Sequence, residues 1–384
     1  MMSIVLSQEQ EERARRLHGD CLVFDYIPPG EPIMLTPTAT RVMEEGLAAG
    51  QHAGVIMGRM VQAGIDDLHD PRVRERLAAY WRGAGVNLVT STLGGVKGET
   101  WDSLVADIAR WHRRFRESGY FRQVTSVAAA EAAKQDGQVG VILNIQNTAP
   151  IGKDLEKVET LYNFGVRIIQ LTYNLRNLVG DGCTERTQAG LSSFGLELVR
   201  TLNRLGIVVD LSHCGAGTVA DAIEHSEAPP AFTHAFCKAL VDHDRAKTDS
   251  QLTAMAERGG YLGILAVPFF LSRDPNAGLE VMLDHIDHAV GIMGVDKVGI
   301  GTDWGGWTSD VPAPLRPAVK AAFMAMGFRE EHGIVIGGGI GDFKRYEDWI
   351  QITRGLVSRG YSDPEIRGIL GGNFLNYFKK VVGS

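Results

Sequence analysis

Three side chains that can bind a metal ion follow three separate apolar runs of the chain. His213 ends the run Val-Val-Asp-Leu-Ser-His, His234 ends Ala-Phe-Thr-His, and Asp303 ends Val-Gly-Ile-Gly-Thr-Asp. In a β/α barrel, residues just past the C-terminal ends of the parallel strands converge on one pocket. Two imidazoles and a carboxylate are typical ligands of a catalytic zinc that keeps one position open for water. The pattern therefore predicts one shared site.

Other polar side chains follow further strand-like runs. Asp25, Gln146 and Tyr173 stand after three of them, and only Asp25 is a strong metal ligand. Most of the eleven histidines lie in helical or loop sequence, where a surface or capping role is favoured. His285 and His288 lie one turn apart on a predicted helix, so we expect them to face solvent.

The elements that would position these side chains are short β-branched runs alternating with helical stretches. Continuous apolar runs of this kind, several preceded by a helix that ends in Gly, are typical of buried parallel strands. Eight is the strand number of the (β/α)8 TIM barrel, so we predict a single α/β barrel domain over 1–384 with two closing helices within 346–382. The eight runs are 22–25, 86–91, 141–145, 168–172, 208–211, 231–233, 261–265 and 297–301.

Two segments are longer than a minimal barrel requires. Residues 27–72 and 305–345 both leave from the C-terminal end of a predicted strand, so we expect insertions over that face of the barrel. Such a segment can form a lid, an oligomer contact or an ordinary structured insertion. The Met-rich stretch 34–60 is the candidate interface if the chain forms a homodimer.

Composition excludes several classes of protein. The chain has 384 residues, 44% apolar content and a formal charge of −7, and no basic stripe indicates a nucleic-acid surface. The N-terminus lacks the features of a signal peptide, and no run approaches the ~18 apolar residues of a membrane span. Four cysteines without a CxxC pair favour free buried thiols. We therefore expect a cytoplasmic protein that binds neither nucleic acid nor a membrane.

Several longer segments resemble one known family. They are Leu-Gly-Ile-Val-Val-Asp-Leu-Ser-His (205–213), Ala-Pro-Pro-Ala-Phe-Thr-His (228–234), the Asp-His-Asp-Arg segment that ends at 245, Val-Gly-Ile-Gly-Thr-Asp (298–303) and Gly-Gly-Asn-Phe-Leu (371–375). From about Val86 onward, the chain resembles the membrane (renal) dipeptidase family, peptidase family M19 of the amidohydrolase superfamily. The resemblance implies a β/α barrel with two zinc ions that hydrolyses dipeptides, including those with a C-terminal D-residue.

The resemblance also implies roles for individual residues. His213 and His234 are similar to the pair of imidazoles on the more buried metal. Asp303 is similar to the carboxylate after the eighth strand, and Arg245 is similar to the guanidinium that holds the substrate carboxylate.

The chain departs from the family pattern at three strand ends. Where the family has a His-x-Asp pair after the first strand, this chain has Asp25-Tyr-Ile-Pro-Pro. Gln146 stands in place of a bridging Glu, and Tyr173 in place of a His that stabilises the tetrahedral intermediate. A neutral amide cannot offset the repulsion between two dications about 3.5 Å apart, so a two-zinc site is not expected.

Three interpretations stay open. In the first, which we favour, one zinc ion sits on His213 and His234, with Gln146 or Asp303 completing its shell, and Asp25 is a further candidate metal ligand. In the second, the site has no catalytic metal and performs acid–base chemistry such as tautomerisation. In the third, the barrel binds a ligand without catalysis.

Under the favoured interpretation, further residues have predicted roles. Asp303 is the general base and Tyr173 donates a hydrogen bond to the oxyanion. Arg245 favours a substrate with a carboxylate, and Trp304 is a candidate aromatic wall of the pocket.

Overall fold

The computed structural model describes residues 4–28, 32–94, 100–274, 276–303, 312–335 and 339–383. Nine strands lie in one sheet, all paired in parallel. They are β1 (Phe24–Asp25), β2 (Leu88–Thr92), β3 (Phe121–Gln123), β4 (Val139–Ile145), β5 (Val166–Gln170), β6 (Val208–Asp210), β7 (Ala231–Ala235), β8 (Tyr261–Ile264) and β9 (Val298–Ile300).

Helices follow most of the strands. They are α1 (Gln8–Asp20), α2 (Pro37–Ala48), α3 (Ala53–Asp66), α4 (Pro71–Ala84), α5 (Trp101–Glu117), α6 (Val127–Gln135), α7 (Glu156–Asn163), α8 (Ser193–Leu205), α9 (Ala216–His225), α10 (Asp249–Glu257), α11 (Pro268–Leu271), α12 (Glu280–Met293), α13 (Arg316–Ala325), α14 (Ile350–Ser358), α15 (Asp363–Arg367) and α16 (Asn373–Val382). Two closing helices were predicted within 346–382, whereas the structure has three, α14 to α16.

The strand order confirms the predicted TIM barrel. Neighbouring strands run β1-β2-β4-β5-β6-β7-β8-β9, and these eight are the eight predicted runs. Hydrogen bonds between the residues that follow the last strand and those of the first close the barrel. The Asp303 N–H donates to the Tyr26 carbonyl at 3.1 Å, and the Thr302 N–H donates to the Asp25 carboxylate at 2.8 Å. This closure brings the end of β9 beside the end of β1.

Strand β3 was not predicted. It covers only Phe-Arg-Gln, too short and too polar to be read as a buried strand. Val141 of β4 pairs with Val89 of β2 and also with Gln123 of β3. Strand β2 pairs along one edge of β4. Along the other edge, β3 pairs with the first residues of β4, up to Val141, and β5 pairs from Leu143 onward.

The barrel is filled and closed at the end where its strands begin. The first residues of β1, β2, β6, β7 and β8 share one apolar cluster with side chains of α16. Phe24 of β1 stacks on Phe374 of α16 with ring centroids 3.6 Å apart. Side chains at that end provide stability, and the opposite end, where the strands finish, is available for chemistry.

Glycines end two of the helices that lead into strands, as predicted. Gly85 follows α4 and Gly206 follows α8, both with φ of 68°. This left-handed conformation stops a helix and is strained for residues with a side chain. Strands β2 and β6 begin within three residues of these caps.

The two long segments contact each other. Ala39, Ile56 and Met60 of α2 and α3 share a small apolar cluster with Leu315 and Val319 at the start of α13. Their placement over the C-terminal face of the barrel as insertions, and the homodimer interface in 34–60, stay predictions. Among the described helices, none combines the length and apolar character needed to cross a bilayer.

Candidate metal and catalytic site

The three metal-capable side chains meet, as their positions at strand ends predict. One ligand atom from each of His213, His234 and Asp303 lies within 4.8 Å of the others. The two imidazole Nε2 atoms are 3.1 Å apart. Both rings are buried, whereas the Asp303 side chain is 19% exposed. The cluster therefore sits at the inner end of a site that Asp303 connects to the surface.

Each imidazole is held through its Nδ1. His213 Nδ1 donates to Asn174 Oδ1 at 2.8 Å. His234 Nδ1 donates to Thr233 Oγ1 at 2.8 Å, and that hydroxyl donates to Asp210 Oδ2 at 2.6 Å. When Nδ1 carries the proton, Nε2 presents a lone pair. Both rings thus direct a lone pair into the same space, and burial lowers the pKa of both well below the usual value.

Asp210 supports His234 through Thr233, a contact that the sequence analysis did not predict. Its carboxylate is fully buried and accepts hydrogen bonds from Ser212, Thr233 and Tyr26. Burial raises the pKa of this carboxyl, and the hydrogen bonds from Ser212 and Thr233 oppose that shift. The signal available in the sequence is a charged residue inside the apolar run Val-Val-Asp-Leu, because a buried carboxylate requires partners.

Tyr26 packs on the other side of His234. Its ring stacks on the imidazole with centroids 5.0 Å apart, and its hydroxyl donates to Asp210 Oδ2 at 3.2 Å. It follows β1, where the resemblance would place metal ligands. An aromatic ring, not a ligand, therefore lies against His234 on this side.

Arg245 joins the two halves of the site. Its side chain is fully buried, its Nε donates to His213 Nε2 at 3.1 Å, and its Nη2 donates to Asp303 Oδ2 at 3.1 Å. The guanidinium also lies over the ring of Phe270, at 5.1 Å from the centroid. Its Nη1 is buried without a hydrogen-bond partner in the described part of the chain.

Asp303 adopts an unusual backbone conformation. Its φ of 47° is in the left-handed region, which Asp and Asn tolerate better than most residues. Burial raises the pKa of its carboxyl to about 7, and the neighbouring Arg245 opposes this shift. The turn after β9 thus aims a carboxyl with an altered proton affinity at the two imidazoles.

Tyr173 lies face to face with His213. The ring centroids are 4.0 Å apart and the planes are inclined by 20°. Burial raises the pKa of its phenol well above the usual value, so the hydroxyl stays protonated and can donate a hydrogen bond. Phe328, from the segment after α13, meets Tyr173 edge-on at 6.5 Å.

Gln146 reaches the same cluster. It follows β4 directly, and its Nε2 is placed 3.1 Å from His234 Nε2. A half-turn of the amide exchanges nitrogen and oxygen, so Gln146 can offer either a donor or an oxygen ligand. Gln146 therefore lies within reach of the space between the two imidazoles.

The structure does not bring Asp25 into this group. Its buried carboxylate accepts hydrogen bonds from the Thr302 N–H and hydroxyl, from Tyr346 Oη at 2.9 Å and from Trp349 Nε1 at 3.3 Å. Burial raises its pKa to about 6. With these donors around both oxygens, Asp25 ties β1 to β9 and to the C-terminal helices instead of facing the imidazoles.

Trp304 lies outside the described residues. Several histidines expected at the surface are buried instead, because each makes a hydrogen bond inside the fold; they are His18, His243, His285 and His332. All four cysteines are free and buried, as predicted.

A cavity of about 540 Å³ lies beside the cluster and not over it. Its lining includes Cys183, Cys214 and Lys247 but none of the three metal-capable residues. Lys247 donates to the carbonyls of Leu211 and Cys214, which fixes the loop after β6. We therefore place the chemistry at the cluster, where the metal-capable groups and the unpartnered guanidinium nitrogen meet.

The donor set fits a zinc ion. Two nitrogen ligands at 2.0–2.1 Å from a tetrahedral zinc are about 3.4 Å apart, close to the 3.1 Å between the two Nε2 atoms. In the structure each Nε2 also faces a donor at 3.1 Å, Arg245 Nε for His213 and Gln146 Nε2 for His234, so a bound ion would take the place of these two hydrogen bonds. His213, His234 and one oxygen from Asp303 or Gln146 can thus hold one ion.

Comparison with known proteins places these features in a family. Residues 91–320 match the family model of the membrane dipeptidases, peptidase family M19. The dipeptidase tcpJ of Claviceps purpurea is 26% identical over 250 residues, which are 64% of this chain and 52% of that protein. The chain thus spans about half the length of this curated relative.

Solved structures share the fold over nearly the whole chain. An amidohydrolase from Pseudomonas aeruginosa is 24% identical, with a TM-score of 0.73 over 97% of this chain and 99% of its own. The probable dipeptidase PvdM from the same organism is 18% identical, with a TM-score of 0.74 over 98% and 99%. At these identities, the likeness establishes the barrel architecture alone.

Proposed function

Because the chain belongs to the membrane dipeptidase family, peptidase family M19, we propose that it is an amidohydrolase that cleaves a small amide bearing a carboxylate, with one metal ion per chain. The observation that carries this proposal is the Arg245 guanidinium, which is buried between His213 and Asp303 with Nη1 unpartnered in the described residues. A buried donor without an acceptor costs about 1–3 kcal/mol. A substrate carboxylate would offset this cost through charge-assisted hydrogen bonds.

The metal would be held by His213 and His234, with an oxygen of Asp303 or Gln146 completing the set. A bound zinc ion supplies Lewis acidity toward the amide carbonyl and lowers the pKa of a bound water. The remaining roles belong to side chains of the chain itself.

Asp303 takes the proton of the attacking water and delivers it to the leaving nitrogen. Its position beside both imidazoles and its contact with Arg245 support this role. Tyr173 donates a hydrogen bond to the developing oxyanion, in keeping with a phenol that stays neutral and is stacked on His213. Arg245 orients the substrate by its carboxylate.

We predict that metal titration saturates at one tightly bound zinc ion per chain. A second ion would need ligands after β1 and a bridging carboxylate after β4, whereas Tyr26 stacks on His234 and Gln146 is neutral. Elemental analysis and calorimetric titration of metal-free protein measure the stoichiometry. Two tightly bound zinc ions per chain would show the prediction to be wrong, and none would exclude the metal-dependent reaction.

The test of the proposed function compares N-formyl amino acids with the matching N-formyl amino acid amides on zinc-loaded protein. We expect hydrolysis of the free acids at least tenfold faster in kcat/KM. Arg245→Met should remove this preference by lowering activity on the acids ~30-fold or more, because a buried charged hydrogen-bond partner contributes about 2–5 kcal/mol. Arg72→Met, at an exposed arginine, is the matched control. Equal activity on acids and amides would refute the role of Arg245.

A further inference from the structure

Asn174 connects the metal-capable cluster to a distant part of the chain. It follows Tyr173, is fully buried and has a φ of 46°. Its side-chain Oδ1 accepts from His213 Nδ1 at 2.8 Å and from the Cys183 thiol at 3.3 Å. Its Nδ2 donates to the backbone carbonyl of Met326 at 3.1 Å. Both ends of one amide are thus engaged, one with the site and one with the segment after α13.

The hydrogen bonds of Asn174 fix which way its amide faces. The Met326 carbonyl is only an acceptor, so the amide nitrogen must face it. The amide oxygen then faces His213 and can only accept, so the proton of that imidazole must be on Nδ1. Nε2 is left with its lone pair, which accepts from Arg245 Nε at 3.1 Å and lies 3.1 Å from His234 Nε2. The tautomer of His213 therefore follows from the contact between Asn174 and Met326.

The backbone of Asn174 explains why few other residues serve here. A left-handed φ is accessible to Gly, Asn and Asp and is strained for other side chains. The Asn174 carbonyl also accepts from the Thr184 N–H at 3.0 Å and the Thr184 hydroxyl at 2.9 Å. Of the three permitted residues, only Asn can accept from an imidazole and donate to a carbonyl simultaneously.

The segment Met326–His332 contacts both loops that carry site residues. Phe328 packs edge-on against Tyr173 and lies 5.8 Å from the Phe270 ring, which the Arg245 guanidinium overlies. Arg329 forms an ion pair with Asp244. These contacts hold the segment over the loop of Tyr173 and Asn174 and over the loop of Arg245.

The His332 ring adds a further contact to the Arg245 loop. Its centroid is 4.4 Å from that of His243, whose Nδ1 accepts from the backbone N–H of Arg245 at 3.0 Å. The segment thus reaches the guanidinium loop through a second set of side chains, independent of Asn174.

We infer that Asn174 is a positioning residue that fixes the His213 tautomer and couples metal binding at His213 to the ordering of Met326–His332. Coupling of this kind is reciprocal, so an ion on His213 should stabilise the segment and the docked segment should favour the ion. The coupling rests on the metal-binding part of the proposed function and not on the reaction. The assignment of the His213 tautomer depends neither on metal binding nor on the reaction.

The experiment compares Asn174→Asp with Asn174→Gly. Both residues tolerate the backbone conformation, so both variants should fold, and thermal unfolding checks this. Asp keeps an acceptor for His213 Nδ1 but sets a carboxylate oxygen against the Met326 carbonyl. Gly removes both contacts. Three readouts are needed: the His213 tautomer from long-range nitrogen–proton NMR, zinc affinity from calorimetry, and hydrogen exchange of residues 326–332 with and without Zn²⁺.

In the unaltered protein, we expect the Nδ1-protonated tautomer and slower exchange of 326–332 when Zn²⁺ is bound. Asn174→Asp should keep the tautomer and lose the zinc-dependent protection. Asn174→Gly should lose both and bind zinc ~10–100-fold more weakly, as is usual when the partner of a metal-bound imidazole is removed.

Each part of the inference has an outcome that overturns it. If Asn174→Gly keeps the Nδ1 tautomer and binds zinc within about threefold of the unaltered protein, Asn174 does not position His213. If Asn174→Asp retains the zinc-dependent protection, the coupling is wrong. If the unaltered protein does not bind zinc, the coupling is wrong. If zinc slows the exchange of 326–332 but no N-formyl amino acid is hydrolysed, only the proposed reaction is wrong.

Discussion

Replacing Asp303 with asparagine should lower turnover by ~10²–10⁴-fold, the usual contribution of a general base. Asp303 follows β9, and one of its carboxylate oxygens lies within 4.8 Å of the ligand atoms of His213 and His234. Asparagine retains the shape of the side chain and tolerates the φ of 47°, so the fold and the turn should persist. What it removes is the ability to accept and return a proton. The measurement is kcat on the N-formyl amino acid that the unaltered protein hydrolyses best.

The control for this substitution is another Asp→Asn exchange away from the site. Asp296 is exposed at the turn before β9 and contacts only Lys297 among its described ion pairs. Asp296→Asn should therefore leave turnover unchanged. If Asp303→Asn keeps near-normal turnover while the thermal unfolding of both variants matches that of the unaltered protein, Asp303 is not the base.

Plain dipeptides should be poor substrates of this chain. The dipeptidase reaction of the family, by resemblance, uses a hydroxide held between two metal ions, a bridging carboxylate and an oxyanion-stabilising histidine. Here Gln146 and Tyr173 stand at the two latter positions, and Tyr26 stacks on His234 after β1. Loss of each such element costs ~10²–10³-fold, although the effects need not add. We therefore expect weak or no hydrolysis of L,L- and L,D-dipeptides, with activity on more reactive N-acyl amides.

The measurement is kcat/KM of zinc-loaded protein on L-Ala-L-Ala and L-Ala-D-Ala. A value of roughly 10⁴ M⁻¹s⁻¹ or more, within the ordinary range for enzymes, would contradict the prediction. Gln146→Glu is the informative partner variant, because it restores a carboxylate 3.1 Å from His234 without changing the length of the side chain. It should bind zinc more tightly than the unaltered protein.

The sequence by itself determined the barrel and the centre of the site. Eight apolar runs predicted the eight barrel strands, because strands buried on both faces need continuous apolar sequence. His213, His234 and Asp303 follow three of these runs, and parallel strands in a barrel finish at one end. That rule alone brings together residues 90 positions apart in the chain. Short β3 escaped prediction because three residues carry no periodic signal.

Only the tertiary structure decided which polar side chains face the site and which hold the fold. Asp25 and Asp210 both stand at the ends of buried strands, yet the first carboxylate accepts from Thr302, Tyr346 and Trp349, and the second supports His234 through Thr233. Asn174 acquires its role from Met326, which lies 152 positions away. A local pattern records that a buried polar group needs partners. It does not record which distant segment supplies them, because that depends on how helices and loops pack around the barrel.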